Sequence, residues 1–176
     1  MALSQTSVVD TALELLRESG LAGMSMRTLA TRIGVQPSAL YWHVPSKQAL
    51  LTGVAERVLA TVRPVEAGDS AAAELRAIGE ALRTAVTGVP DGAEIVALGL
   101  AAGAVNPVAD AVEAACARYG EADRAPGLTT ALTGYVIGLG LEEQTHHNLR
   151  AADPEMAAVD FGPRFGAGLE ALLAGV

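Results

Sequence analysis

Aromatic side chains are scarce in this chain of 176 residues: one Trp, three Tyr and two Phe. The interior is therefore left mainly to Ala, Val and Leu. Hydrophobic residues make up 51% of the chain, enough for a sizeable core. The single cysteine, Cys116, excludes an internal disulfide, and among its alanine neighbours it reads as a small buried residue. No apolar run approaches the ~18 residues that a membrane span needs. The most apolar stretch, Ala93 to Val105, is short and interrupted by glycine. The first residues carry neither a basic segment nor an apolar one, so no signal peptide is expected and the expected location is the cytoplasm. No segment alternates polar and apolar residues over strand length. There is no G-x-S-x-G elbow, no setting for a reactive cysteine and no full set of metal ligands, so neither an enzyme nor a cofactor is expected.

Helical periodicity is present throughout, and it predicts an all-α fold. Val8, Val9, Ala12, Leu15 and Leu16 recur at three- and four-residue spacing and give a first helix over 4–19, stopped by Gly20. Ser25 caps a second helix over 26–33, closed by Gly34. A short third helix over 37–43 starts with Pro37 in its first turn and is broken by Val44-Pro45. Ser46 caps a fourth over about 47–62. Further helices are expected near 71–87, 92–100, 107–119, 128–147 and 163–174. The net charge of −8 is unevenly spread: residues 1–63 carry +2 and the remainder −10. The reading is a mildly basic head over 1–63 and an acidic helical body over 64–176, a division that suggests two jobs.

The second and third helices with the Gly34 turn form a helix-turn-helix. Leu29, Ala30 and Ile33 face inward, and Val35 and Leu40 pack back on them. Gln36, Pro37, Ser38, Ala39, Tyr41, Trp42 and His43 are left on the outer side. A recognition helix in a major groove needs short side chains at its N-terminal end. Ser38 suits a base or phosphate, Ala39 a thymine methyl and Gln36 an adenine edge. Tyr41, His43 and Lys47 have polar tips for phosphates. The large body of Trp42 is expected to anchor the short helix against its neighbours. The helix starts at Ser25 and Ser46 offer backbone N–H groups to phosphates, and Arg27 can reach a phosphate or a guanine.

The run "TLATRIGVQPSALYWHVPSKQALL", Thr28 to Leu51, resembles the DNA-binding signature of the TetR family of bacterial transcription regulators. It matches at Leu29, Ala30, Gly34, Val35, Leu40, Tyr41, His43, Lys47 and Leu50, and "LYWHV" is similar to the tetracycline repressor branch. The segment Val8 to Arg27 is also similar to the family's first helix. More weakly, Asp91 to Leu100, Leu132 to His147 and Phe161 to Gly175 look like helices of the effector domain. The resemblance implies a ligand-responsive regulator, a repressor. It would be a homodimer on a palindromic double-stranded DNA operator, with half-sites ~34–36 Å apart, released by a small-molecule effector. In that family the last helices form a four-helix bundle with the second subunit.

Departures from the family bear on the effector. Val96 stands where the resemblance places a metal-binding histidine. Ile78 and Leu82 stand where polar residues grip the drug. Glu142 matches a carboxylate near the metal, but one carboxylate without its histidine is not a metal site. An apolar effector is expected instead, in a pocket of Ile78, Leu82, Val96, Leu100, Val112, Cys116, Leu132, Tyr135 and Leu139, with Tyr135 as polar contact. The expected dimer interface is Val136, Leu141, Phe165, Leu169, Leu172 and Leu173. Glu142 with His146, and Glu143 with His147, have i,i+4 spacing that can hold a metal; without a third ligand, a solvated helix end is the better reading. The glycines of 138–141 and 165–168 read as helix-packing positions. The alternatives are a helical interaction module or co-regulator that does not bind DNA and, less favoured, a small all-α metal enzyme built on Glu142, Glu143, His146 and His147.

Overall fold

A computed structural model of the chain describes residues 3–62 and 66–176. Nine α-helices follow one another, with no strand among the described residues: α1 (Gln5–Gly23), α2 (Met26–Ile33), α3 (Pro37–Leu40), α4 (Lys47–Leu59), α5 (Ala71–Thr87), α6 (Gly92–Ala101), α7 (Pro107–Arg118), α8 (Ala125–Ala152) and α9 (Phe161–Leu173). The fold is all-α, a helix-turn-helix head followed by a helical body. The expected boundary between 63 and 64 lies outside the described residues.

Serine caps set four of the helix starts. Ser4, Ser25, Ser46 and Ser70 each accept a backbone N–H from the residue three positions on, satisfying one donor that the first turn leaves unpaired. Three helices differ from the sequence expectation. Helix α1 does not stop at Gly20: that residue, with φ 63° and ψ −174°, kinks the helix, which resumes to Gly23. Helix α3 is only one turn long. The N–H groups of His43 and Val44 both donate to the Leu40 carbonyl, and the residue before Pro45 is driven out of helical geometry. Helix α8 is longer at both ends than its apolar pattern, because its first and last turns are mostly solvent-facing.

The core is continuous from head to body. Val8, Ala12 and Leu16 of α1 meet Leu29, Leu40, Leu50 and Val54, and α4 carries the core on through Val58 and Leu59 to the body. Helix α4 packs against α6 more extensively than any other pair of helices do. Their crossing is close because a side chain is missing: a Cβ at Gly99 would overlap the Ala55 Cβ. A second anchor follows α4. Glu74, 1% exposed, accepts from the Gly68 N–H at 2.8 Å and the Tyr119 hydroxyl at 3.1 Å, and pairs with Arg118. One buried carboxylate thus ties the segment before α5 to α7. Burial pushes its pKa up. The Gly68 N–H, the Tyr119 hydroxyl and the Arg118 guanidinium outweigh that and hold it below the ordinary carboxylate range.

Candidate nucleic-acid interface

The one-turn helix α3 projects from the head. Leu40 is its buried contact, while Gln36, Pro37 and Ser38 are exposed and Ala39 is half-buried. Tyr41 is 49% exposed and Trp42 89%. This corrects the expectation that Trp42 anchors the short helix: the anchoring falls to Leu40 and Val44, both fully buried. The head's only two aromatic residues therefore lie on its surface, where each presents apolar area with a polar tip. His43 is half-buried beside them.

The head's cations divide into two groups. Arg32 forms a two-pronged pair with Glu18, one prong at 2.8 Å, and Arg57 pairs with Asp10 at 2.7 Å. The Arg32 hydrogen bond holds the Glu18 carboxyl below its usual range. Arg17, Arg27 and Lys47 are exposed and make no ion pair among the described residues. An unpaired surface cation is one whose charge remains available to a phosphate. Ser25 and Ser46 use their hydroxyls internally, accepting the Thr28 and Ala49 N–H groups at 3.0 Å. What they can offer a phosphate is the backbone of the helix start. Gln36, Ser38, Tyr41, Trp42 and Lys47 are each exposed on or beside α3 and at the start of α4, and Arg27 is exposed on α2.

The body residues expected to form a pocket are placed differently. Ile78, Leu82, Val96, Val112, Cys116 and Leu132 are fully buried in the common core. Leu100, Tyr135 and Leu139 are half-buried against the same core. Helical spacing identifies an inward face, but a packed core and a pocket wall share that spacing. Tyr135 is engaged within the protomer: its hydroxyl lies 2.7 Å from the Phe165 carbonyl and its ring stacks on Phe165 at 5.8 Å. Burial pushes its pKa up, as it does that of Cys116.

The expected dimer residues divide by exposure. Val136, Phe165, Leu169 and Leu173 are buried inside the protomer. Leu141 is exposed and Leu172 half-buried. The outward face of α8 carries Gly134, Gly138, Leu141 and Leu149 instead. Glu142 pairs with Arg164 at 2.7 Å and Glu143 with Arg83 at 3.1 Å, so each carboxylate of the i,i+4 pairs is engaged by an arginine. His146 lies against the Phe161 ring at 5.6 Å.

Sequence reasoning missed the residues that join head to body. Asp91 accepts the Leu21 N–H at 2.7 Å across 70 positions of chain. Gln144 accepts the Ala93 N–H at 3.2 Å and donates to the Val86 and Val89 carbonyls, each at 3.0 Å. The Asp-Gly pair at 91–92 signals a turn. Nothing in its neighbourhood of sequence points to α1.

Residues 8–54 match the family described as bacterial regulatory proteins, tetR family. The chain is 37% identical over 153 residues to the tetracycline repressor protein class A from transposon 1721 of Escherichia coli, covering 81% of this chain and 68% of that protein. It is 40% identical over 96 residues to the tetracycline repressor protein class D of Escherichia coli, covering 53% of this chain. That match spans 44% of the relative, so the chain spans less than half the length of some of the curated relatives it matches. Two solved structures are similar over nearly the whole chain. One is BioQ crystallised with its double-stranded DNA operator, with a TM-score of 0.82 and 29% identity over 99% of this chain and 98% of that one. The other is a TetR variant from Acinetobacter baumannii AYE in complex with minocycline, with a TM-score of 0.80 and 31% identity over 99% of this chain and 96% of that one.

Proposed function

Because the chain belongs to the tetR family of bacterial regulatory proteins, we propose that it is a ligand-responsive transcriptional repressor that binds a palindromic DNA operator as a homodimer. The observation that carries the reading is what the head exposes: the Tyr41–Trp42 pair, Lys47 and Arg27, with both cations unpaired among the described residues. Double-stranded DNA matches this surface in both charge and shape. The operator bound by the structural relative BioQ supports the same partner. Work on DNA supports a cytoplasmic location. The head is residues 1–63 and the body residues 64–176.

The proposed mechanism has two states. In one, two recognition helices stand at operator spacing. In the other, a small molecule held by the body favours a different spacing, and DNA is released. The shift is only as large as the effector's differential affinity for the two states. The minocycline complex of the TetR relative supports a small molecule as the class of effector. The apolar packing around Ile78, Leu82 and Val96 supports an apolar one, which must open that core in order to enter. Helix α4 carries the motion, since its start is on the head surface and its later turns pack on α6.

The test is selection of bound sequences from a random duplex library. A palindrome recovered with the pure protein is the expected result. No enrichment by a folded protein would favour the interaction-module reading. Once an operator is in hand, the Tyr41→Ala variant is expected to bind it about tenfold more weakly, as for one lost phosphate or base contact. Its melting temperature should be unchanged, because the side chain is half exposed and at the surface. Titration of both proteins with the same duplex measures this, and equal affinities would remove Tyr41 from the interface.

A further inference from the structure

Among the described residues, Asp91 is the only one other than glycine with a positive φ: it sits at φ 55° and ψ 19°, in the left-handed region. Asp tolerates that region better than most residues, but glycine suits it best. Asp91 is also the N-cap of α6. Its carbonyl accepts the Ile95 N–H, yet its side chain makes no cap hydrogen bond to its own helix. An Asp at this position ordinarily turns its carboxylate back on the first turn. Here the carboxylate is directed away, to the Leu21 N–H of α1 at 2.7 Å. A residue in a strained conformation that also forgoes its own cap is spending both on a contact elsewhere.

The receiving end on α1 is shaped for that contact. The kink at Gly20 turns the Leu21 N–H out of the helical ladder. A Cβ at position 20 would stand 2.8 Å from Asp91 Oδ2, so any side chain there would push the carboxylate from its present place. On its other side the α5–α6 turn is held by Gln144, which grips Val86, Val89 and Ala93 from α8. A run of hydrogen bonds therefore leads from α8 through the turn to the first helix of the head. A cleft of about 540 Å³ lies alongside it, between α1, the turn and α8. On this side the head is not packed on the body, and the Asp91 bond spans the gap.

We propose that Asp91 is a positioning residue for the recognition surface: its bond to Leu21 sets the attitude of the head to the body, and Gln144 links that setting to α8. The proposal rests on the DNA-binding reading above. A head released from the bond samples several attitudes, of which only some suit an operator. If each of two heads is competent roughly a third of the time, the pair is competent about a tenth of the time, and apparent affinity falls about tenfold.

The experiment compares the parent with Asp91→Gly and Asp91→Asn. Asp91→Gly keeps the left-handed backbone at no strain and deletes the acceptor. Its melting temperature is expected not to fall, because relief of strain offsets the lost bond. The Leu21 amide should exchange with solvent at least about tenfold faster, as for an opened local contact, and operator affinity should drop about tenfold. Asp91→Asn retains an oxygen acceptor and tolerates the backbone, so it should recover most of both losses. Gly20→Ala attacks the same bond from the head and should reproduce them if Asp91→Gly fails to fold. A lower melting temperature with parental operator affinity would mean a structural role only and would overturn the proposal. So would an Asp91→Gly protein whose Leu21 amide is protected as in the parent. If the parent binds no operator, the DNA-binding reading fails by itself. Leu21 exchange, together with exchange across α1 to α3, then still decides: faster exchange through the head supports the positioning bond, and unchanged exchange overturns it.

Discussion

A Gly99→Ala protein is expected to be less stable than its parent, although alanine is the better helix former. The propensity gain is at most about 1 kcal/mol. Against it stands the crossing of α4 and α6, where the added Cβ would overlap the Cβ of Ala55, an atom fixed to the backbone and unable to rotate away. Overfilling a packed contact of this kind costs about 1–3 kcal/mol, and more where the backbone must shift. The net loss should be about 1–2 kcal/mol, or several degrees in melting temperature for a chain of this size. The crossing has room for one methyl group, not for two. Adding Ala55→Gly moves the methyl to the other helix, and the double variant should regain at least half of the loss. Thermal unfolding of the four proteins of this cycle is the measurement. Additive effects, with no recovery in the double variant, would mean that the two positions do not share that space. Since α4 also carries Lys47 at its start, the single variant should lose operator affinity along with stability if α4 transmits the body's state to the head.

Glu74→Gln should be as costly, and its cost should depend on pH. Glutamine is nearly the same shape and keeps one oxygen for the Gly68 N–H and the Tyr119 hydroxyl. Its amide nitrogen then faces the Arg118 guanidinium, donor against donor, in a site 1% exposed. Loss of a buried charge-assisted hydrogen bond of this sort costs about 2–3 kcal/mol. The parent's carboxyl titrates below its unfolded value, so its contribution is fully present above the ordinary carboxylate pKa of about 4.3. That contribution is lost as pH falls through the depressed folded value. The gap in melting temperature between parent and variant should therefore be wide and constant near neutrality and close in acid. Melting curves of both proteins taken from neutral pH into acid follow that loss. A gap that persists unchanged in acid would show that the charge of Glu74 contributes nothing.

The sequence was most legible where a local rule governs. Ser25 and Ser46, each three positions before a free N–H, mark the starts of α2 and α4 because a cap is an interaction within one turn. Gly34 marks the turn of the helix-turn-helix in the same way. The reading lost its grip where the deciding atoms are far apart in the chain. Nothing near residue 91 says that its carboxylate will meet Leu21, and nothing near residue 99 says that Ala55 will press on it. It also left two readings open where one pattern serves two purposes. The 3.6-residue repeat that places Ile78, Leu82, Val96 and Val112 on inward faces is equally that of a filled core. Val136, Phe165 and Leu169 likewise bear the apolar pattern of a seam between subunits, but their own protomer covers them. Trp42 was misread for the opposite reason: a large apolar side chain next to a short helix looks like an anchor, yet Leu40 and Val44 already occupy the available space beneath it.

The exposure of that one indole has a practical corollary. With a single tryptophan in the chain, all of the protein's indole emission comes from position 42, exposed on the head. In water the emission should be shifted to the red, and it should report almost nothing about the packing of the body. A duplex laid across α3 would screen the indole from solvent and bring bases near it, quenching or blue-shifting the signal. The protein thus carries its own optical probe on the surface in question. Binding can be followed without a label and without mistaking unfolding of the body for occupancy of the head.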